Sequence, residues 1–338
     1  MQGSQLIARR AGGRARTPGA PLRYNSDGPV PRPRNPYPLH FVAASLLAVF
    51  RRLMTATKAA SRLTATIWLI LLLRLTSTSH AASLADFTDV TAGHYQVLTQ
   101  SGLPMASQVN GFMNEMLRHY SRYFSNWTFK DASRVVVFDN LADFHAYAHS
   151  SIGVTHPGLA GYCHLKTDEN GDTFYELVTY EHDRLWQVLA HEGFHQFIGY
   201  ELGDAVPVWL NEGMAQYFEN SAVKGGRLIP GGIDPTRLAA AQALLRSRQM
   251  LSVPDLLTME RGTFYANPAI TYPMSWALVH FLMNRDGLNY QSSHFRRYLQ
   301  DLRWNRDELD SFRKRFGRES LEWEKEFRSY VAHLRGSE

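Results

Sequence analysis

Two histidines spaced four residues apart constrain the fold of this chain more than any other feature. They lie in the run His191-Glu192-Gly193-Phe194-His195. An α-helix turns once every 3.6 residues, so positions i and i+4 lie on one face about one turn apart. Both imidazole rings can then reach one metal ion, while Glu192 can interact with a metal-bound water molecule rather than with the ion itself. The pattern predicts a helix and indicates zinc, which favours tetrahedral sites of histidine and carboxylate ligands.

The sequence around this motif also favours a helix. Residues 185–190 and 194–198 carry apolar side chains at helical spacing, as a buried helix requires. The alternative is an ordinary core helix whose two histidines are hydrogen-bonded to their neighbours. A second motif, further along the chain, argues against that alternative.

The second motif, residues 208–219, reads Val-Trp-Leu-Asn-Glu-Gly-Met-Ala-Gln-Tyr-Phe-Glu. A zinc site with two histidines needs a third protein ligand, and the carboxylate of Glu212 can supply it from a second helix. Sixteen residues separate His195 from Glu212, which allows the first helix to end near Gly199 and the chain to turn back. We therefore expect one zinc ion per chain, bound by His191, His195 and Glu212.

Two further polar residues follow Glu212 on the predicted helix. Gln216 and Glu219 lie four and seven residues beyond it, close to the same face. Zinc-bound histidines usually donate their second ring N–H to a carboxylate or a carbonyl oxygen, which fixes the tautomer. Either residue can supply that acceptor; a solvated helix face is the alternative.

The two motifs together resemble those of the gluzincin metallopeptidases, in which HExxH is followed by a glutamate on the next helix. A closer resemblance is to the peptidase MA-like family of exported bacterial proteins of uncharacterised function. That family adds a Gly-Tyr strand before the motifs and a Tyr-x-x-Ser-Trp-Ala-Leu-Val-His segment after them. This chain has Gly161-Tyr162 and residues 272–280 in those places, and the likeness covers roughly residues 90 to 335.

The resemblance implies a zincin-like α+β fold: a small mixed sheet with an edge strand beside the HExxH helix, then a mostly helical C-terminal half. It also implies catalytic roles for Glu192, as the general base, and for Tyr272, as a hydrogen-bond donor to the oxyanion. A core aromatic is the alternative for Tyr272, and a hydrogen-bonded core residue is the alternative for His280. In related zincins an extended substrate pairs with the edge strand, a role we assign to residues 175–180, with Gly161-Tyr162 nearby.

The charge of the chain is distributed unevenly. Residues 1–80 carry twelve Arg and Lys against one acidic residue, whereas the remainder carries 24 basic and 30 acidic side chains. The basic surplus therefore belongs to the N-terminal part, and the main argument for nucleic-acid binding is lost.

The N-terminal part has the composition of an export leader. We expect residues 1–53 to be a disordered basic, proline-rich extension, with translation starting at Met54, and residues 54–81 to be a signal peptide ending in Ser79-His80-Ala81. An uncleaved membrane anchor is the alternative. The predicted location is periplasmic or secreted, without a stable membrane span after cleavage. Residues 82–338 form the metallopeptidase-like domain, with a sheet-containing part, 82–180, and a helical part, 181–338.

The remaining pattern predicts further elements of that domain. Expected strands are 134–138 and a hairpin of 161–166 with 173–180; expected helices are 106–123, 140–150, 235–248, 274–285, 290–303 and 318–333. The single cysteine, Cys163, excludes an internal disulfide, and we expect it to be a buried small hydrophobe.

The predicted function is an exported zinc-dependent peptidase that hydrolyses peptide bonds in a peptide or protein substrate. Two alternatives remain at this stage: a non-catalytic, zinc-stabilised binding protein, and a cell-envelope adhesion or assembly factor. The sequence does not determine the substrate, the mode of cleavage or the oligomeric state.

Overall fold

A five-stranded mixed sheet occupies the first half of the described chain. The computed structural model describes residues 83–122, 133–203, 206–224, 227–285, 294–304, 308–316 and 320–336, all of them within the unit Thr78–Glu338. The strands are β1 (Thr88–Ala92), β2 (Tyr95–Thr99), β3 (Ser133–Phe138), β4 (Gly161–Thr167) and β5 (Thr173–Tyr180). They lie in the order β1-β2-β3-β5-β4. The central strands β2, β3 and β5 are parallel, and each outer strand is antiparallel to its neighbour.

The central strands are apolar because both of their faces are covered. In β3, Val135 and Val137 belong to the large core on one face, whereas Val136 and Phe138 belong to a smaller core on the other. Successive side chains of a strand point to opposite faces, so a continuous apolar run marks a strand that is buried on both sides. The predicted strand 134–138 is therefore confirmed, as is the hairpin formed by β4 and β5.

Helices cover the two faces of the sheet unequally. Helix α1 (Gly102–Ser121) and α3 (Leu185–Leu202) pack on one face, and α2 (Leu141–Ile152) packs on the other. Asn140 caps α2 by accepting a hydrogen bond from the Asp143 backbone N–H, a common way to begin a helix. The large core on the α1 and α3 side continues into the C-terminal helices.

The second half of the described chain is mostly helical, as predicted. Its helices are α4 (Val208–Glu219), α5 (Pro235–Arg246), α6 (Val253–Leu257), α7 (Arg261–Ala266), α8 (Pro268–Arg285), α9 (His294–Arg303), α10 (Glu308–Phe316) and α11 (Ser320–His333). A small hairpin of β6 (Ala222–Lys224) and β7 (Arg227–Ile229) interrupts this half and was not predicted. The short helices α6 and α7 and the charged helix α10 were also not predicted. Each has too few residues for a helical period to be recognised in the sequence.

Several predicted boundaries need correction. Helix α8 begins six residues before the predicted 274, because Pro273 lies inside the helix rather than ending it. Helix α3 continues three residues beyond Gly199, which is not a terminator. A Cβ at Gly199 would lie 2.5 Å from the ring of Tyr175, so this glycine allows close packing of the helix on β5. The predicted starts of α9 and α11 fall outside the described residues.

The prediction that residues 175–180 form the edge strand was wrong. Strand β5 lies between β3 and β4, with which it is fully paired, and β4 forms the edge of the sheet nearest to α3. The hydrophobic pattern of a hairpin identifies its two strands but does not show which of them a third strand will join.

No helix within the described residues is long and apolar enough to cross a bilayer. The predicted extension 1–53 and signal peptide 54–81 lie outside the described residues.

A buried carboxylate ties three strands and α2 together on the face of the sheet opposite α3. Glu176 of β5 is fully buried and accepts hydrogen bonds from Tyr147 Oη (2.7 Å) and Lys166 Nζ (3.0 Å). Arg134 Nη1 lies 3.5 Å from the carboxylate, and His164 Nε2 lies 3.3 Å from it. Burial opposes ionisation, but the hydrogen bonds outweigh it and lower the pKa of Glu176 to about 2. The ionised form therefore stabilises this part of the fold.

Replacing this carboxylate should make the protein less stable at neutral pH. We expect Glu176→Gln to lower the free energy of unfolding by about 2–3 kcal/mol, because Lys166 and Arg134 lose their buried partner. Both cations are partly exposed (32% and 28%), which limits the effect. Urea unfolding of wild type and variant across pH provides the measurement.

The pH dependence supplies a second check. A lowered carboxylate pKa adds stability that is complete above the ordinary value of 4.5 and is lost as the pH falls towards 2. The difference between wild type and Glu176→Gln should therefore shrink over that interval. The exposed turn variant Glu169→Gln is the control. A Glu176→Gln protein as stable as this control at pH 7 would contradict the account.

Candidate metal centre

Helix α3 carries both histidines of the first motif, and hydrogen bonds hold it firmly in place. Gln196, fully buried on the same helix, donates hydrogen bonds to the carbonyl oxygens of Arg134 (3.0 Å) and Tyr175 (2.9 Å), which belong to β3 and β5. Tyr120 of α1 donates to the carbonyl oxygen of Ala190 at 2.7 Å. These bonds satisfy buried polar groups and fix both the position and the rotation of α3 against the sheet.

Helix α4 brings Glu212 to the histidines. The contact between α4 and α8 is so close that a Cβ at Gly213 would lie 2.6 Å from the backbone oxygen of Ser275. No larger residue fits at position 213 without separating the two helices. Gly213 therefore allows α4 to pack between α3 and α8. This packing determines how close Glu212 lies to the two histidines.

The three predicted ligands converge. Glu212 Oε2 lies 3.7 Å from His191 Nε2 and 3.8 Å from His195 Nε2, and the candidate ligand atoms of all three residues lie within 4.8 Å of one another. Ligand atoms of a tetrahedral zinc site are roughly 3.4 Å apart. Glu212 is buried, while each histidine side chain is about one-sixth exposed (18% and 17%). The donor set and its spacing therefore fit zinc, with small adjustments.

The far ring nitrogen of His191 contacts a carboxylate. Its Nδ1 lies 3.2 Å from Glu219 Oε2, so Nδ1–H can donate to this carboxylate, which leaves Nε2 on the side of Glu212. Glu219 is also paired with Arg237 Nη2 at 3.0 Å and with Arg184. Burial opposes ionisation of Glu219, but these partners outweigh it and lower the pKa of the carboxyl to about 2.

The far ring nitrogen of His195 has a different partner, which the sequence analysis did not identify. Its Nδ1 lies 2.8 Å from Asn211 Oδ1, so an amide oxygen can fix the tautomer of this ring. The position of Asn211 directly before Glu212 in the second motif was the signal that could have revealed it. Gln216, the other predicted acceptor, is fully buried and its amide has no hydrogen-bond partner among the described residues.

Charges within the site favour a bound cation. Burial alone would lower the pKa of His191, but hydrogen bonds with Glu212 and Glu219 outweigh it and raise that pKa to about 10. Burial would likewise raise the pKa of Glu212, yet the two histidines and Tyr265 lower it to about 2. The carboxylates thus stabilise positive charge near the imidazoles. A divalent cation bound there would supply such charge.

Glu192 lies on the side of α3 that faces β4. A Cβ at Gly161, the first residue of β4, would be 3.4 Å from Glu192 Cγ and 2.5 Å from Val188 Cγ1. The edge strand therefore passes directly beside this carboxylate, which is half-buried. Glu192 thus lies beside the first residue of the edge strand, and its charge also acts on His191.

Two tyrosines lie close to Glu212: Tyr272, predicted as the oxyanion donor, and Tyr265, which was not predicted. Tyr265 of α7 donates a hydrogen bond to Glu212 Oε1 at 2.8 Å. Tyr272 of α8 also interacts with this glutamate: burial, and then the charge of Glu212, raise the pKa of the Tyr272 phenol. No sequence motif marked Tyr265, whose contact depends on the path of the chain between α7 and α8.

Three other histidines and the single cysteine lie apart from the three candidate ligands. The His280 ring is buried, with Nδ1 2.6 Å from Tyr330 Oη, which identifies it as a hydrogen-bonded core residue. His164 contacts Glu176 on the opposite face of the sheet, and the His182 ring stacks on Tyr180. Cys163, predicted to be a buried small hydrophobe, is half-buried; burial and the Glu192 charge raise its thiol pKa and disfavour the thiolate.

A cavity of about 540 Å³ lies between α1, α3 and the end of α4. Most of its lining surface is apolar, and Phe112, Trp186 and Leu228 contribute to it. Asp183 and Glu219 contribute carboxylates to its wall. Because Glu219 also contacts His191, the cavity shares one residue with the surroundings of the three ligands.

Comparisons with known proteins identify one similar family. Residues 177–302 match a family described as "Protein of unknown function (DUF1570)". The matched segment begins in β5 and ends in α9, and it contains all three candidate ligands, Glu192 and both tyrosines. A search of curated proteins finds no match to the chain. The chain is thus similar, over its candidate metal centre and the surrounding helices, to a family whose function is not described.

Proposed function

We propose that this protein is an exported zinc-dependent peptidase of gluzincin type, built on a zincin-like fold. The observation that carries the proposal is the convergence of two imidazoles from one helix and a carboxylate from the next, beside a second carboxylate at a sheet edge. That combination suits metal-assisted hydrolysis of a carbonyl compound. The export leader predicted for residues 54–81 places the activity in the periplasm or outside the cell.

The metal would be held by His191, His195 and Glu212. When bound, zinc supplies Lewis-acid chemistry that acidifies water and polarises a carbonyl group. Glu219 and Asn211 would keep both Nε2 lone pairs directed at the ion, because each accepts from the opposite ring nitrogen.

Glu192 would act as the general base. Its carboxylate takes a proton from the water that attacks the peptide carbonyl carbon, and then delivers that proton to the amine nitrogen as the C–N bond breaks. Tyr272 would donate a hydrogen bond to the carbonyl oxygen as negative charge develops there.

The edge strand β4 supplies a place for an extended substrate. Among the described strands, β4 pairs only with β5, so its outer edge can hydrogen-bond to a peptide backbone. Gly161 at the start of this strand brings a bound peptide next to Glu192. A peptide or protein is therefore the substrate class that fits this strand edge.

A zinc-stabilised binding protein is the second candidate function. The cavity behind α3 favours it, since an apolar space lined by Phe112 and Trp186 can accept a ligand without involving the edge strand. Such a protein would bind zinc but would not hydrolyse peptides. The variants below separate the two functions.

The first prediction from this proposed function concerns zinc binding. Purified wild type should contain one zinc ion per chain, and His191→Ala, His195→Ala or Glu212→Ala should each reduce that content greatly, because one of three ligands is lost. Elemental analysis after zinc loading and dialysis is the measurement. The surface variant His149→Ala should retain the wild-type content. A wild type that stays metal-free after loading would refute the proposal.

The second prediction separates catalysis from metal binding. Glu192→Gln removes the proton acceptor but not a ligand, so it should retain zinc and lose at least about 100-fold in kcat. Digestion of an unbiased peptide library by the mature protein supplies the substrate for this assay. Glu201→Gln, on the same helix, is the control. Zinc-loaded wild type that cleaves nothing in the library would favour the binding protein instead.

The third prediction concerns Tyr272. Tyr272→Phe keeps the ring and its packing, so it should lose about 10²–10³ in kcat with little change in folding. The assay is turnover of a peptide selected from the library. A variant within about threefold of wild type would mean that this hydroxyl is not the oxyanion donor.

A further inference from the structure

The two oxygens of the Glu212 carboxylate have different surroundings. Oε2 faces the Nε2 atoms of His191 and His195, at 3.7 and 3.8 Å. Oε1 accepts a hydrogen bond from the hydroxyl of Tyr265 at 2.8 Å. Because the phenol holds one oxygen, the other is the oxygen presented to the imidazoles.

We propose that Tyr265 is a positioning residue that orients Glu212 for the metal by holding Oε1 through its hydroxyl. The proposal rests on the proposed function in so far as it takes Glu212 to be a metal ligand. A glutamate side chain has three rotatable bonds, and a carboxylate can bind a cation through one oxygen or through both. A hydrogen bond to Oε1 restricts this freedom before the metal arrives, so less conformational entropy is lost on binding.

The backbone around Tyr265 is held in place. Its neighbour Phe264 is fully buried, and the backbone oxygen of Phe264 accepts a hydrogen bond from the Thr271 hydroxyl at 3.0 Å. Thr271 belongs to α8, so this bond fixes α7 against the helix that carries Tyr272. The phenol hydroxyl therefore extends from a fixed point rather than from a freely moving surface segment.

The partly exposed position of Tyr265 allows the role of its hydroxyl to be tested by substitution. Tyr265 is 41% exposed, so replacing it by phenylalanine removes the hydrogen bond while changing little of the packing. Tyr330→Phe is a matched control, because Tyr330 is a half-buried tyrosine of α11 whose hydroxyl contacts His280, a core residue, instead of a candidate ligand.

The experiment is a measurement of the zinc dissociation constant by competition with a chromophoric chelator. Tyr265→Phe should bind zinc about 10–100-fold more weakly than wild type, as is typical when a partner of a ligand is removed. Tyr330→Phe should bind within about twofold of wild type. The visible absorption spectrum of the cobalt-substituted protein should also change in Tyr265→Phe, because the carboxylate can then rotate. Metal-free Tyr265→Phe should remain folded, although it should unfold at a somewhat lower urea concentration than metal-free wild type because the buried carboxylate loses one hydrogen bond.

A double variant tests whether Tyr265 acts through Glu212. In a Glu212→Ala background the carboxylate is absent, so adding Tyr265→Phe should leave the already weak zinc affinity unchanged. A further loss in that background would mean that Tyr265 acts by another route and would overturn the proposal. Equal zinc affinities and cobalt spectra for wild type and Tyr265→Phe would overturn it as well.

The outcomes distinguish this proposal from the proposed function. If wild type binds zinc tightly and Tyr265→Phe matches it, the positioning role alone fails. If wild type binds no zinc, both fail together. If zinc binding follows the expected pattern but no peptide is cleaved, the positioning role stands and the peptidase does not.

Discussion

The contact between α3 and α4 places a buried carboxylate beside two imidazole rings, and the chemistry of the site depends on it. Burial of an ionised carboxylate costs several kcal/mol unless charged or hydrogen-bonding partners replace its water. Glu212 is 4% exposed and finds those partners in His191, His195 and Tyr265. The surrounding elements can be understood by how they hold these partners together. Gln196 fixes α3 on the sheet, and Gly213 allows α4 to approach α8.

Both imidazoles are oriented by groups outside the set of candidate ligands. Glu219 contacts His191 and is itself held by Arg184 and Arg237, so a chain of charges extends from the site towards the surface. His195 has the neutral Asn211 instead. An ionised acceptor makes a stronger hydrogen bond than an amide does, so the His191 ring is held more firmly than the His195 ring. Glu219 also lines the cavity between α1, α3 and the end of α4.

The sequence predicted the parts of the site that depend on spacing within one helix. His191 and His195 share a face because an α-helix repeats every 3.6 residues, and Glu219 lies near Glu212 for the same reason. The contacts of Asn211 and Tyr265 depend on how separate elements meet, which no local period encodes. The order of strands was missed for the same reason. The pattern identified the β4–β5 hairpin, but tertiary packing placed β4 at the edge and β5 in the interior.

Zinc should be coordinated by His191, His195 and Glu212, and X-ray absorption at the zinc edge of the loaded protein measures that coordination. Two imidazoles and a carboxylate predict nitrogen and oxygen scatterers at about 2.0–2.2 Å, in fourfold coordination, with the multiple-scattering features of two histidine rings. Any zinc that His195→Ala retains should show the features of one ring. A first shell of oxygen alone, or one containing the sulfur of Cys163 at about 2.3 Å, would place the zinc elsewhere and contradict the account.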